Sequence, residues 1–354
     1  MSRFFSERFA GLTPYTPGEQ PRELNVVKLN TNESPFPPSE KALRYMREHA
    51  RPLNLYPELH AVGLRTRIAA LHGVKPENIL LGNGSDELLN FAFMAFCDER
   101  SPAAFPDITY GFYPVYAALN RVPYEEIPLR EDFSVDPADY CGIGRTIFLA
   151  NPNAPTGMLL GTDAIEEIAA SNPGHVVVVD EAYIDFGGVS CVPLIRRHDN
   201  LLVVQTFSKS RSMAGARLGF AAGDEALSRD LNSLLFSVNP YNVNAMTMAL
   251  GEGILEDAES TERNCRTIME NRAYTVAALE ALGFSVLPSA ANFVLAASDR
   301  IGGAALYLAL KERGVLVRHF DIPAIRPYIR ITIGTREQMD ILLAGIRDIL
   351  EGRP

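Results

Sequence analysis

Cysteine is scarce in this chain. The four present, Cys97, Cys141, Cys191 and Cys265, are widely separated and form no Cys-x-x-Cys pair. That spacing argues against zinc ribbons and a disulfide framework, and for reduced thiols in a core; no metal site is expected. Basic charge is also short: 33 Lys and Arg stand against 43 Asp and Glu, for a formal net charge of -10. An acidic chain lacks the electrostatic footprint of a nucleic-acid-binding protein, so an anionic small molecule has to be held by a local basic cluster. No apolar run reaches the length of about 18 residues that a transmembrane helix needs. Residues 1–13 are polar and charged, without the apolar segment of a signal peptide. The expectation is a cytoplasmic protein that engages neither nucleic acid nor membrane.

What is present is ordinary globular composition, 47% hydrophobic and 21% charged, over 354 residues. That length accommodates two domains with large cores. Short apolar runs at 78–81, 103–105, 146–150, 176–179, 201–206 and 218–222 alternate with helical patterns at 86–97, 112–119, 163–170 and 193–197. Val176-Val177-Val178-Val179 is apolar throughout, as in a strand buried on both faces. The alternation predicts an α/β fold, a mostly parallel sheet flanked by helices, with ligands bound at the carboxyl ends of the strands. Beyond about residue 243 the texture changes. A long helical stretch at 243–282 precedes strands at 285–287, 292–296, 315–318 and 328–333 and helices at 303–313 and 336–351, the pattern of a smaller α+β domain. Residues 18–38 read as an extended arm. The implied division is an arm at 1–38 that contributes to the small domain, a large domain at 39–250 and a small domain at 251–354.

Several residues carry chemistry. Lys209 follows the run at 201–206 and precedes a small-residue turn, with Arg217 eight residues on. A desolvated lysine at a strand end can lose its proton and act as a Schiff-base nucleophile. A guanidinium there can clamp a phosphate, although most Ser-Lys pairs are simply surface. Asp180 ends the valine run, where a carboxylate is costly unless paired. It either caps a turn or faces a cation such as a protonated pyridine nitrogen. Tyr183, three residues on, is either a buried tyrosine with one hydrogen bond or a partner for the same ring. Leu81-Gly82-Asn83-Gly84-Ser85-Asp86-Glu87 joins a strand to a helix. Ser85 and Asp86 are explained by capping alone, but the two glycines favour an anion cradle. Asn151-Pro152-Asn153-Ala154-Pro155-Thr156-Gly157 is a tight turn that can present an amide. In Pro327-Tyr328-Ile329-Arg330-Ile331-Thr332, Arg330 suits a carboxylate or phosphate, or else a salt bridge at a strand edge. Arg318 ends the preceding run.

These stretches also occur in a known order. Leu29-Asn30-Thr31-Asn32-Glu33-Ser34-Pro35, Leu55-Tyr56-Pro57, Gly82 to Glu87, Thr109-Tyr110, Asn151 to Gly157, Asp180-Glu181-Ala182-Tyr183, Ser208-Lys209, Arg217-Leu218-Gly219, Pro288-Ser289-Ala290-Ala291-Asn292-Phe293 and Arg330-Ile331-Thr332-Ile333-Gly334 follow one another along nearly the whole chain. The order resembles the fold-type I pyridoxal-phosphate aminotransferases, and among them the histidinol-phosphate aminotransferase family. The resemblance implies pyridoxal 5'-phosphate as cofactor and Lys209 as its covalent anchor and the proton-transfer base. It further implies Asp180 at the pyridine nitrogen, Tyr183 at the ring oxygen and Tyr110 stacked on the ring. Thr206, Ser208, Arg217 and the backbone of Ser85 and Asp86 would hold the phosphate, with Tyr56 arriving from the partner in a homodimer. Tyr15, Asn32, Arg318 and Arg330 would receive the amino donor and the 2-oxo acid.

One position departs from the family pattern. The residue before Pro-Thr-Gly, usually an asparagine that bonds the ring oxygen, is Ala154. Asn153 or Asn151 takes its place, or Tyr183 acts alone, and one lost neutral hydrogen bond costs about 1 kcal/mol. The implied reaction is L-histidinol phosphate plus 2-oxoglutarate to imidazole acetol phosphate plus L-glutamate. Threonine-phosphate decarboxylases and aromatic amino-acid aminotransferases share the residues around Lys209 and stand as alternatives. A degenerate cofactor-binding homologue is the non-enzyme alternative, favoured only by Ala154.

Overall fold

The computed structural model describes residues 2–9, 11–20 and 26–353. Residues 21–25 of the expected arm lie outside these, as do 1, 10 and 354. Strand β1 (Val27–Lys28) is followed by helices α1 (Glu40–His49) and α2 (Val62–His72), and then by the first strand of the main sheet, β2 (Ile79–Gly82). Next come α3 (Ser85–Phe96), β3 (Ala103–Pro106), α4 (Tyr113–Asn120), β4 (Tyr124–Ile127) and β5 (Thr146–Ala150). Helix α5 (Thr162–Ser171), β6 (Val177–Asp180), β7 (Leu201–Thr206), β8 (Gly219–Gly223) and α6 (Glu225–Val238) complete this layer.

The seven strands lie in the order β2-β8-β7-β6-β5-β3-β4. All run parallel except β8, which is antiparallel to both of its neighbours. Alternate residues of the central strands feed two separate cores. Ile147, Leu149, Val177, Val179, Leu201 and Val203 pack on one face. Phe148, Ala150, Val178, Leu202 and Val204 pack on the other. Burial on both faces accounts for the unbroken valine run, because helices cover each side of a parallel sheet.

Helices α7 (Ala245–Leu255) and α8 (Ala258–Ala281) lead to β9 (Phe284–Val286), β10 (Phe293–Ser298), α9 (Gly303–Glu312), β11 (Val315–Leu316), β12 (Arg318–His319), β13 (Tyr328–Thr332) and α10 (Arg336–Leu350). A four-stranded antiparallel sheet, β12-β13-β10-β9, forms here, and β1 pairs in parallel with β11. A third core joins Leu29 of the N-terminal segment to Val294, Ile329 and Ile331 of this sheet and to Leu342 and Ile346 of α10.

Several expectations need correction. The stretch at 243–282 is two helices, broken at Glu256 and Asp257. The pattern at 193–197 closes only a 3-10 turn at Val192–Arg196, with Pro193 in its first turn. The run at 315–318 divides between β11 and β12, which pair with different strands. Strand β4 and helices α1, α2 and α6 have no counterpart in the sequence pattern. Strand β4, Tyr-Glu-Glu-Ile, is an edge strand with three exposed residues and therefore no apolar run.

Candidate active site

The carboxyl edge of the main sheet opens into a cavity of about 330 Å³. Register explains which residues meet there: Ala150 lies opposite Asp180, the last residues of β5 and β6. Both line the cavity, as does Thr206, the last residue of β7. Because β8 runs the other way, its first residue, Gly219, pairs with both Thr206 and Gly82 at this same edge. Thr31, Glu33, Ser85, Asp86, Tyr110, Ala154, Tyr183, Ser208, Lys209 and Arg217 complete most of the wall.

One end of the cavity is a cradle of donors. Helix α3 begins at Ser85, after Gly84 at a φ of 80°, a conformation glycine adopts without strain. A Cβ on Gly219 would lie 2.6 Å from the Ser85 backbone nitrogen, so the close approach of β8 to this helix start requires glycine. Arg217 Nη2 donates to Asp86 Oδ2 at 2.9 Å, and its Nη1 lies 3.5 Å from Ser208 Oγ. Ser208 in turn accepts from Thr206 Oγ1 at 2.9 Å. Helix N-terminus, hydroxyls and guanidinium together form an anion site.

Asp180 lines the same cavity and is only 5% exposed. Ala182 N donates to its Oδ1 at 3.2 Å and Tyr113 Oη to its Oδ2 at 3.4 Å. Burial, and then the charge of Asp86, pushes this carboxyl up to about 7. Such a group calls for a cationic partner. Tyr110 donates to Asp86 at 2.6 Å, and burial together with that carboxylate holds its phenol well above its ordinary range. Lys209 Nζ donates to Thr31 O at 3.3 Å and lies 5.8 Å from the centre of the Tyr183 ring. An amine, a buried carboxylate and an anion cradle thus line one cavity. This donor set fits a flat cationic ring bearing an aldehyde and a phosphate.

Nine of the residues singled out in the sequence meet in this cavity: Ser85, Asp86, Tyr110, Asp180, Tyr183, Thr206, Ser208, Lys209 and Arg217. Asn153 does not line it. Its amide donates to Ile108 O and Thr156 Oγ1 and accepts from Thr109 Oγ1, which locks the loop. Asn151 is likewise spent on Leu160 within the same loop, and only Ala154 reaches the cavity wall from this turn's asparagine-alanine positions. Asn32 is 1% exposed and bonds protein partners, Tyr183 and Thr332. Tyr56 is 73% exposed and stacks on Tyr241 at 4.4 Å, outside this cavity's lining. Tyr15 stacks on Phe112 at 4.2 Å. Arg318 and Arg330 face each other across the β12–β13 pair. Arg330 sits 5.2 Å from the ring centres of both Phe293 and Phe320, with its buried Nε unpartnered. Tyr113, the first residue of α4, belongs to no motif; its place three residues after Tyr110 and three before Tyr116 is the one local clue to its position beside Asp180.

Residues 25–346 match the family described as aminotransferase class I and II. The chain belongs to that family. Within it, the chain is 48% identical over 355 residues to the histidinol-phosphate aminotransferase of Aromatoleum aromaticum, a match covering 99% of this chain and 100% of that one. Histidinol-phosphate aminotransferase 2 of Dechloromonas aromatica is 46% identical, with 99% of each chain covered. The solved histidinol-phosphate aminotransferase of Sinorhizobium meliloti, in complex with pyridoxal-5'-phosphate, shares the aminotransferase fold with a TM-score of 0.83, 22% identity and coverage of 92% and 91%.

Proposed function

We propose that the chain transfers the amino group of L-histidinol phosphate to 2-oxoglutarate, with pyridoxal 5'-phosphate as cofactor. The carrying observation is whole-length likeness to histidinol-phosphate aminotransferases, at 48% identity, in a chain whose one cavity is lined by a lysine, a buried carboxylate and an anion cradle. When bound, the cofactor supplies an electron sink for the electron pair left on the substrate α-carbon. Lys209 Nζ anchors it and moves the proton at that carbon. Asp180 keeps the ring nitrogen protonated, Tyr183 donates to the ring oxygen and Tyr110 covers the ring. Thr206, Ser208, Arg217 and the backbone amides of Ser85 and Asp86 hold the phosphate. Arg330 and Arg318, side by side on one small-sheet face with Tyr15 close by, receive the substrate's phosphate and then the carboxylate of the oxo acid.

The proposal includes a homodimer in which Tyr56 serves the partner's site. Leu53, Leu55, Tyr56 and Leu59 are exposed, an apolar stretch that a second copy would cover. It also includes a cytoplasmic location and the division at 1–38, 39–250 and 251–354. The separate cores of the two sheets support that division in outline, although α7 runs across residue 250 and its Ile254 packs in the large-sheet core. Among the described residues no helix is long and apolar enough to cross a membrane.

The test is a set of parallel assays. Glutamate with the holoenzyme should abolish the cofactor's visible band, and L-histidinol phosphate should support turnover with 2-oxoglutarate. Carbon dioxide release from L-threonine O-3-phosphate, or preference for phenylalanine, would sink the assignment. Lys209→Ala should remove the visible band and turnover together.

A further inference from the structure

The Tyr183 phenol is not free to turn. Asn32 Nδ2 donates to its oxygen at 3.0 Å. What fixes the amide in that orientation is Thr332, at the end of β13. Its Oγ1 accepts the Asn32 backbone N–H at 3.0 Å, so its single proton goes to Asn32 Oδ1, also at 3.0 Å. The amide oxygen is thereby committed to Thr332 and the amide nitrogen to Tyr183. The Asn32 carbonyl accepts from Asn292 Nδ2 at 3.0 Å. Asn32, Thr332 and Asn292 are all at least 97% buried, so water does not compete for these bonds. A phenol oxygen that receives a bond from an NH₂ group has only its own proton left to give. Tyr183 lines the cavity, and that is the direction left for the proton.

We propose that Asn32 and Thr332 are positioning residues, which make Tyr183 a one-way hydrogen-bond donor into the cavity and tie that donor to the small sheet. This rests on the assignment of the cavity to pyridoxal phosphate. It assigns Asn32 a part other than direct substrate contact. The orientation matters more in this chain than where an asparagine precedes Pro-Thr-Gly. Ala154 offers no side-chain donor, and Asn151 and Asn153 are held within their own loop, so Tyr183 is left as the donor to the ring oxygen.

The test reads the pH at which the visible band of the bound cofactor changes. With the proton off the lysine nitrogen, the ring oxygen bears its charge unshared, and a donor stabilises that state most. Weakening the donor therefore moves the transition to higher pH. Asn32 has a φ of 57°, which glycine accepts without strain. Asn32→Gly should raise the transition by about half a unit. Thr332→Val should move it in the same direction, and Thr332→Ser should restore it. In a Tyr183→Phe background, Asn32→Gly should add no further shift, because the relay has lost its end. The charged groups facing the phenol stay in place in every variant: Lys209, Arg330, Asp180 and Glu33, with Asp86 and Arg217 further along the wall. An unchanged transition in Asn32→Gly and Thr332→Val, or the same shift with and without the Tyr183 hydroxyl, overturns the relay. Absence of a visible band in the unsubstituted protein overturns instead the assignment of Lys209 on which it rests.

Discussion

Asp180 shows how one buried side chain sets both chemistry and stability. Burial pushes its carboxyl up from an ordinary value of 3.8 to about 7, and that of the adjacent Glu181 likewise from 4.5 to about 7. Across that interval the folded chain holds protons that the unfolded chain has released, so stability falls as pH rises from about 4 to about 7. Asp180→Asn removes one of the two contributions. The melting temperature of the cofactor-free variant should gain on the unsubstituted protein as pH rises from about 4 to about 8, while transamination is lost. A melting difference that stays flat with pH refutes the buried-charge account. Asp180 and Lys209 were legible as residues because a charged group within three residues of the end of an apolar run is conspicuous. The alternative between Asn153 and Asn151 was not, because only the folded loop shows that both amides are spent on loop partners.

At the scale of elements, the site is an edge of the sheet. Strand register places Ala150, Asp180, Thr206 and Gly219 along one rim, and the reversed β8 brings Arg217 to the start of α3. Gly219 is the tightest point of that arrangement. An added Cβ would meet Ser85 N at 2.6 Å and the Gly84 carbonyl carbon at 2.7 Å, both rigid backbone. Gly219→Ala should therefore push the α3 start away from Arg217 and weaken cofactor binding about tenfold or more. Equilibrium dialysis with pyridoxal phosphate measures this, and unchanged affinity would show that the cradle yields easily. The parallel central strands were readable from their apolar runs. Strand β4 was not, because an exposed edge carries no such run. Helices α1, α2 and α6 are not marked by the alternation of apolar runs, although α1 is capped by Ser39, whose hydroxyl accepts from Ala42 N.

The whole molecule joins two sheets through the N-terminal segment. Thr332 N donates to Leu29 O, and Lys209 Nζ reaches Thr31 O from the large sheet. The proposed dimer is testable by complementation. If Tyr56 serves the partner's site, mixed dimers of Lys209→Ala and Tyr56→Phe protomers contain one intact site each. Random reassortment should then restore about a quarter of the full activity from two impaired parents. No recovery would place Tyr56 outside the partner's site.

The sequence alone determined the fold class and the family, and it singled out the lysine, the carboxylate and the arginine that the structure brings into one cavity. Each of these is written in local pattern: an apolar run, a glycine turn, or a charge placed after a strand. Tertiary structure decided what local pattern does not encode. It set Arg318 opposite Arg330 through antiparallel register, turned Asn153 into its loop, and joined Asn32 to Tyr183 and Thr332 across the chain. Those outcomes depend on hydrogen bonds between residues up to 300 positions apart, and such bonds form only once packing has brought their partners together and excluded water.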